Sequence, residues 1–372
     1  MKYAFICVDT LRVGGYQRLA LDEAYALSDR DFKVSIFVLE NSDYANSNVK
    51  TFLEIESGLI SSKGIYIHFS SNRWLKLFAN IYDQIRAFPE VPLVISHSLR
   101  STVALKFLKL FAGKRKIIIN TKVHQIPSLT DPKQRLKRFI YTQFADRLFG
   151  FSEAVRISWR TQFGVGFEIL FRFSKKICLL RNGIYLDRLP TRTKWSVGSI
   201  QRPRIIFLGR LTFWKGLKIF EALSILEALK DFDFLFCIPS YDEKDFAKLR
   251  RVLGNRLQIV VGKSVNELSF FDGDVHLYPT QYGETSKVTE SISLNCLEMA
   301  CIGIPSVVTE GGQLTWTESI FKNVFLEVNW LDTVQVVSQI KKASSEMILA
   351  QDLLEINNLI NINRELDTII LS

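Results

Sequence analysis

Apolar, β-rich segments alternate with amphipathic helical segments along the whole chain. One series starts with KYAFICV, helical YQRLALDEAYALS and KVSIFVLE, and a second starts with RIIFLGR, helical LKIFEALSILEALK and FDFLFCIP. Strands that read as continuous apolar runs are typical of parallel sheets covered by helices on both faces. The pattern therefore predicts an α/β protein built from two successive doubly wound, Rossmann-like halves.

A connector rich in Arg, Pro, Ser and Gly, RNGIYLDRLPTRTKWSVGSIQRP, separates the two series. We expect an N-terminal domain over residues 1–195 and a C-terminal domain over residues 196–349. A last helix, over about 350–372, is expected to pack back on the first domain. Open α/β sheets bind ligands at the carboxyl ends of their strands, so the expected site is the cleft between the halves.

Length, composition and cysteine spacing indicate what kind of protein to expect. The chain has 372 residues, 47% of them hydrophobic, which is enough for two cores. Its five cysteines are scattered without a Cys-x-x-Cys pair, so neither a disulfide framework nor a zinc site is expected. The sequence contains no apolar run long enough to span a bilayer, and its first residues lack a signal-peptide cleavage region. These features predict a cytoplasmic protein.

Positive charge is concentrated in the first half of the chain. Residues 1–200 hold 31 Lys and Arg against 16 Asp and Glu, whereas the remainder holds 17 against 22. Two segments, KFLKLFAGKRK and KQRLKRFIYTQF, interleave cations with aromatic and aliphatic side chains. Such segments suit an anionic membrane surface, although ordinary solvated helix faces would look similar. A nucleic-acid partner is not expected, because no recognised binding module occurs and the second half is acidic.

The segment ESISLNCLEMACIGIP places two glutamates, Glu290 and Glu298, in an apolar run with seven residues between them. Ser291 or Ser293 can cap a helix of about ten residues that ends near Gly303. Both carboxylates would then lie near a helix amino terminus, which favours negative charge and binds phosphate. The alternative is that both only offset the helix dipole.

Basic residues and glycines lie at two strand-to-helix turns. In FLGRLTFWKG, Arg210 ends a strand and Lys215 opens the next helix, where a diphosphate would be held. At the first turn of the chain, Gly14 and Gly15 allow a phosphate or a sugar to approach the backbone closely. Surface cations in the first case and a tight turn in the second are the alternative readings.

His97 ends the strand PLVISH directly before a helix, which is where strand-end residues enter a cleft. His124 follows IIINT in a similar way, and for both the alternative is a buried, hydrogen-bonded histidine. The segment DGD at 272–274 resembles a metal-binding pair in outline. It directly precedes a strand, so a capping role is the better explanation and no metal is predicted there.

Together these segments resemble the retaining GT-B glycosyltransferases of group 1, also called family 4, over nearly the whole chain. The matching segments are GGYQRLALDEAYALSDRDFKVSIF near the start, SEAVR at 152–156, RNGIYLDRL at 181–189, GRLTFWKG at 209–216 and ESISLNCLEMACIGIPSVVTEGG at 290–312. The resemblance implies a GT-B fold and a metal-independent, cofactor-free hexosyltransferase. Its donor would be a nucleotide-diphosphate sugar, and its acceptor a glycan or lipid-linked hydroxyl, as in bacterial O-antigen, capsule or lipopolysaccharide synthesis.

The resemblance also implies roles for individual residues. Glu290 would face the donor sugar near the reacting centre, where His97 would also contact the sugar, and Glu298 would hydrogen-bond the ribose. The groups that would hold the diphosphate are the backbone amides of Ser293 and Leu294 together with Arg210, Lys215 and Gly15. The basic first half would bind the acceptor, with the protein peripheral on the inner membrane face.

Three departures from the family pattern affect this reading. An insertion over Thr280–Thr289 precedes Glu290 and contains another glutamate, Glu284. Only Glu290 has seven residues between it and Glu298, as the family motif requires. The family's EGFG is ESIS here, and its GGAER is GGYQR. Two alternatives stay open: a non-catalytic regulatory partner that binds nucleotide sugar, and a GT-B enzyme of another class, such as an epimerase or a phosphorylase.

Overall fold

The computed structural model describes most of both predicted halves. The described residues are 2–11, 15–39, 47–69, 79, 81–83, 86, 90–111, 117–123, 144–150, 177–190, 202–209, 215–239, 242–263, 265–279, 293–310, 318–346 and 348–371.

By its internal contacts the chain divides into two compact units. The first unit comprises Met1–Tyr185 and Asn361–Ser372, and the second comprises Leu186–Ile360. The expected boundary between residues 195 and 196 falls in a stretch outside the described residues. The last part of the chain therefore belongs to the first unit, and the part just before it belongs to the second.

The described strands of the first unit form one parallel sheet in the order β3-β2-β1-β4-β5-β6-β7. The strands are β1 (Lys2–Val8), β2 (Phe32–Val38), β3 (Tyr66–Phe69), β4 (Leu93–Ser96), β5 (Ile119–Val123), β6 (Arg147–Gly150) and β7 (Ile177–Leu179). Its described helices are α1 (Gly15–Ser28), α2 (Ser47–Ser62) and α3 (Leu99–Phe111), joined by the last helix of the chain. Strand order reverses between β1 and β4, which is where doubly wound sheets bind ligands.

The second unit repeats this plan. Its described strands are parallel in the order β10-β9-β8-β11-β12-β13. They are β8 (Arg204–Leu208), β9 (Asp233–Ile238), β10 (Leu257–Val261), β11 (Val275–Tyr278), β12 (Ser306–Thr309) and β13 (Phe325–Val328). Its described helices are α4 (Leu217–Ser224), α5 (Glu243–Leu253), α6 (Leu294–Cys301), α7 (Thr333–Ser345) and α8 (Ala350–Ile360). The predicted pair of parallel α/β halves is confirmed.

Continuous apolar runs explain why these strands are central. Every residue of β8 is buried, and the core of the second unit packs Phe207, Phe220 and Phe236 ring against ring. In the first unit, Phe5 and Phe37 meet edge to face at 5.4 Å between ring centroids. Such aromatic pairs add to the stabilisation from burial alone.

The chain end differs from the single helix predicted over about 350–372. It forms two helices, α8 and α9 (Ile362–Leu371), of which α8 packs on α6 and α9 packs on α1. Asn361 interrupts them, because its backbone pairs with Ile184 and its side-chain oxygen accepts the amide of Asn363 at 2.9 Å. Only α9 therefore returns to the first unit.

Candidate functional site

The switch point of the second sheet lies between β8 and β11, at the carboxyl ends of these strands. Gly209 follows β8 with a φ of +110°, a region that disfavours side chains other than that of glycine. Asn295, at the start of α6, donates from Nδ2 to the Leu208 carbonyl at 2.7 Å. A Cβ on Gly209 would lie 3.1 Å from that same Nδ2, so the glycine lets α6 approach the strand end.

Lys215 lies at the carboxyl end of β11. Its ammonium bonds the hydroxyl of Tyr278 and lies 4.4 Å from the centroid of that ring. The next residue, Gly216, is the N-cap of α4 with a φ of +85°, and a Cβ there would lie 2.4 Å from Pro279 Cγ. This close approach holds the turn against the strand end and anchors Lys215 there, while its contact with a diphosphate stays a prediction.

The amino terminus of α6 lies beside this turn. Ser293 caps the helix, and its Oγ accepts the amide of Cys296 at 3.3 Å. The cap was predicted from the sequence, although the helix has eight residues rather than about ten. Backbone amides in a first helical turn have no intrahelical acceptor and carry partial positive charge. Those at Ser293 and Leu294 can therefore donate to an anion.

The charge of Lys215 affects the pKa values of two buried side chains, His276 and Cys296. Burial, reinforced by Lys215, lowers the pKa of His276 to about 3. Burial raises the pKa of the Cys296 thiol to about 11, and Lys215 only partly opposes this rise. Both side chains are therefore neutral near pH 7, with His276 Nδ1 2.9 Å from Ser306 Oγ. Lys215 and the helix terminus thus favour a bound anion.

Glu298 is buried within α6 and forms an ion pair with Arg188, with 2.5 Å between Nη2 and Oε1. Arg188 ends a short 3-10 turn, Leu186–Arg188, at the start of the second unit. Sequence reasoning did not single out Arg188, although it lies within the segment RNGIYLDRL that carried the family resemblance. The ribose contact of Glu298 stays a prediction, and one of its carboxylate oxygens is already paired.

His97 follows β4 in the first unit, and its backbone amide donates to the Cys7 carbonyl at 2.9 Å. Its side chain is 0% exposed, and its Nε2 lies 2.8 Å from Glu23 Oε2. This is the buried, hydrogen-bonded arrangement that the sequence left open as the alternative. Contact between His97 and a donor sugar stays a prediction.

Three further buried charges adjoin His97 and were missed from the sequence. Lys122, in β5, bonds both Glu23 of α1 and Glu365 of α9, and all three side chains are at most 1% exposed. Glu23 and Lys122 occur within apolar runs, LALDEAYALS and IIINTKV, and that setting was the available signal. The contact to Glu365 joins residues 243 positions apart, which no local pattern indicates.

Several predicted site residues lie outside the described residues, namely Gly14, Arg210 and Glu290, as do His124 and the insertion at 280–289. Gly15 is described and begins α1 in an exposed position. The structure thus places Lys215, Ser293, Leu294 and Glu298 in the second unit, and Gly15 and His97 in the first.

Within the described parts of the chain, no group of three or more His, Cys, Asp or Glu side chains could hold a metal ion. Asp274 of the DGD segment is buried and pairs with Arg204 at 2.5 Å. It also accepts the backbone amides of Arg204 and Phe271 at 3.2 and 2.8 Å. Asp274 therefore ties the start of β8 to the turn before β11.

Two surface properties bear on membrane binding. Lys106 and Lys109 of the first basic segment both contact Asp146, at 3.3 and 2.7 Å, so part of their charge is neutralised. Phe107 between them is half exposed. Of the helices described, none is long and apolar enough to cross a bilayer.

No family model and no curated protein sequence matches the chain. Solved structures do match over nearly its full length, at low sequence identity. HepE of Anabaena, crystallised with UDP and glucose, is 14% identical, with 99% of this chain and 100% of HepE covered and a TM-score of 0.62. A glycosyltransferase from Rickettsia africae is 16% identical, with 99% and 96% covered and a TM-score of 0.64. The UDP-forming α,α-trehalose-phosphate synthase of Burkholderia vietnamiensis is 15% identical, with 100% and 99% covered and a TM-score of 0.58.

These neighbours establish the fold of the chain. The two parallel sheets with their flanking helices have the GT-B fold, and the fold predicted from the sequence is confirmed.

Proposed function

We propose that this protein is a retaining glycosyltransferase of the family 4 type. It moves a sugar from a nucleotide-diphosphate sugar to a hydroxyl of a glycan or lipid-linked acceptor, in the synthesis of a bacterial surface polysaccharide. The observation that carries the proposal is that Lys215, held by Tyr278, and the capped amino terminus of α6 both lie at the switch point of the second sheet. HepE, which shares the fold, was crystallised with UDP and with UDP-glucose.

The second unit would bind the donor through its diphosphate. Lys215 supplies a point charge held in place by Tyr278, and the amides of Ser293 and Leu294 supply directed N–H donors. His276 and Cys296, which are both neutral near pH 7, add no charge of their own beside this lysine. Arg210 would add a planar, two-pronged donor, as the family resemblance implies.

These same groups would serve the chemistry. The bond between the anomeric carbon and the diphosphate oxygen breaks, and the acceptor hydroxyl oxygen forms the new bond on the same face of the sugar. The acceptor proton passes to the departing phosphate oxygen. Donors fixed in advance around the diphosphate stabilise the charge that grows on it, which is the work a metal ion does in other transferases. The reaction as proposed uses no metal or other cofactor.

The two glutamates would contact the donor from either side of its diphosphate. Glu290 would face the sugar, as the resemblance implies. Glu298 would reach the ribose with the carboxylate that Arg188 holds in place. Because Arg188 fixes the position of Glu298, removing it would weaken nucleotide binding even if Arg188 itself does not touch the ligand.

The first unit would bind the acceptor and rest on the inner face of the membrane. Its excess of cations and the half-exposed Phe107 favour an anionic lipid surface. Since Asp146 neutralises part of the charge of α3, the second basic segment at 133–144 would contribute more. Sedimentation with anionic vesicles at low salt would support this role, and failure to sediment would remove it.

Acceptor-independent turnover tests the transferase proposal. UDP-, GDP- and dTDP-sugars would be incubated with the protein in a metal chelator, and release of the nucleoside diphosphate would be followed. We expect slow release from one nucleotide class, abolished by Lys215→Met. The control is Lys230→Met, an exposed lysine that precedes β9 at the opposite, amino-terminal end of the strands.

Each alternative predicts a different outcome. Nucleotide-sugar binding without release would indicate a regulatory partner, and an altered sugar that appears without any acceptor would indicate an epimerase. Release that requires added metal would contradict the metal-independent mechanism.

A further inference from the structure

Four ionisable side chains form a continuous buried chain in the first unit. His97 Nε2 lies 2.8 Å from Glu23 Oε2, and Lys122 bonds the other oxygen of Glu23. Lys122 also bonds Glu365, whose second oxygen accepts the backbone amide of Gly183 at 2.8 Å. The chain therefore links the residue after β4 to α1, β5, α9 and the segment that follows β7.

The charge state of Glu23 fixes the hydrogen-bonding role of His97 Nε2. Burial alone would raise the pKa of Glu23, but His97 and Lys122 together hold it below its ordinary value. An ionised carboxylate can only accept hydrogen bonds. His97 Nε2 must then be the donor, and a neutral ring is confined to the tautomer with its proton on Nε2.

The orientation of this carboxylate is fixed in turn. Each oxygen of Glu23 has its own partner, so the group cannot rotate without breaking a bond to His97 or to Lys122. Lys122 is held from its other side by Glu365 on the last helix. Buried ion pairs of this kind commonly add little net stability over well-packed apolar residues. A role in specifying the position of one side chain accounts for the arrangement better than stability does.

We propose that Glu23 is a positioning residue that fixes the orientation and the tautomer of the His97 imidazole for sugar transfer, with Lys122 and Glu365 holding Glu23 in place. This inference rests on the proposed function, because His97 acts near the donor sugar only if the protein is a glycosyltransferase. The last helix, which joins the first unit from the far end of the chain, is thereby part of the support for His97.

The first experiment reads the ring directly and needs no activity. Nitrogen-15 NMR of the imidazoles at pH 8 is practical because the chain has only four histidines, and His97→Gln assigns the signal. In wild-type protein Nε2 of His97 should carry a proton, and any neutral ring should be the single tautomer protonated there. In Glu23→Gln the neutral amide can donate or accept, so Nε2 is no longer obliged to donate and the preference for this tautomer should weaken. Lys122 keeps a partner in Glu365, so the charges remain balanced in this variant.

The second experiment measures kcat and KM for nucleotide-sugar turnover. Glu23→Gln should lower kcat by about tenfold or more, because a carboxylate that orients a functional imidazole is lost, and should leave the donor KM nearly unchanged. The matched control is Glu56→Gln. Glu56 is another buried glutamate that contacts α1, through Arg18 and the Tyr25 hydroxyl at 2.8 Å, but it has no bond to His97. Its kcat should stay within about twofold of wild type.

The outcomes separate this inference from the proposed function. A wild-type His97 signal with the proton on Nδ1 alone, or a signal unchanged in Glu23→Gln, would overturn the positioning role whatever the activity. If the wild type turns over a nucleotide sugar and Glu23→Gln has the same kcat, Glu23 does not matter for catalysis. Wild-type protein that turns over no nucleotide sugar would instead refute the proposed function, while the ring would still report whether Glu23 fixes it.

Discussion

Replacing Lys122 with methionine should strongly destabilise the first unit. The ammonium is the shared partner of Glu23 and Glu365, and all three side chains are essentially without solvent contact. Methionine nearly matches the lysine stem in volume, so loss of packing contributes little. What remains is a pair of buried carboxylates that have lost the cation between them.

The expected loss follows from this burial. Removing one partner of a buried ion pair typically costs about 3–5 kcal/mol, a large part of the stability of a domain. Burial and the Glu23 charge outweigh Lys122 and raise the pKa of Glu365 to about 7, so this group can relieve the repulsion by taking up a proton. The loss should therefore be larger at pH 8.5 than at pH 6, because at the lower pH Glu365 is mostly protonated.

Hydrogen exchange in increasing urea is the assay of choice, since peptides from β1 and α9 report on the first unit separately from the second. The control is Lys109→Met, which removes a partly exposed lysine from its 2.7 Å contact with Asp146. A partly exposed pair near the surface is worth about 1 kcal/mol, well below the loss expected for Lys122→Met. Equal, pH-independent losses in the two variants would refute the idea that Lys122 holds together a network of buried charges.

Three further predictions concern other contacts. The folded state raises the pKa of Glu365 from 4.5 to about 7, so wild-type stability should fall as pH rises through this window, by up to about 1.4 kcal/mol per pH unit. Glu365→Gln lacks the titrating carboxyl and should not show this fall. Urea unfolding of both proteins at pH 5, 6 and 7 tests this, and the same change with pH in both would contradict it. Gly216→Ala places a Cβ 2.4 Å from Pro279 Cγ at a φ of +85°, so urea unfolding of the second unit should show a loss of about 1–3 kcal/mol. A variant as stable as the wild type would argue against this close approach. Gly183→Ala places a Cβ 2.4 Å from Ile362 Cα, so amides of the last helix should exchange faster, and unchanged exchange would show that the helix does not depend on this contact.

The fold could be predicted because its signal is local. A run such as RIIFL is buried at every position, and runs of this kind recur with helical segments between them. Two such series in succession are enough to predict two parallel sheets. The cap at Ser293 was predictable for the same reason, since a helix start depends on only a few neighbouring residues.

The helix break at Asn361 and the buried charges around His97 depend on contacts between distant parts of the chain, which local sequence patterns do not indicate. Asn361 looks like one more polar position in a long helix, and only its pairing with Ile184 explains the break there. Glu23 and Lys122 are charged residues, which sequence patterns assign to the surface, yet they neutralise each other across 99 residues of sequence. His97 was found from its position at a strand end, but nothing local indicated that its ring is buried against Glu23.

Binding of a nucleoside diphosphate by the second unit, through Lys215 and the amino terminus of α6, can be measured by calorimetry. UDP, GDP and dTDP would each be titrated into wild type, Lys215→Met and Lys230→Met. We expect saturable 1:1 binding of one diphosphate by wild type and by Lys230→Met. In Lys215→Met the affinity should fall at least about tenfold, the equivalent of about 1.4 kcal/mol for a lost charge-assisted contact. Absence of binding by all three diphosphates, or equal affinity in the two variants, would contradict it.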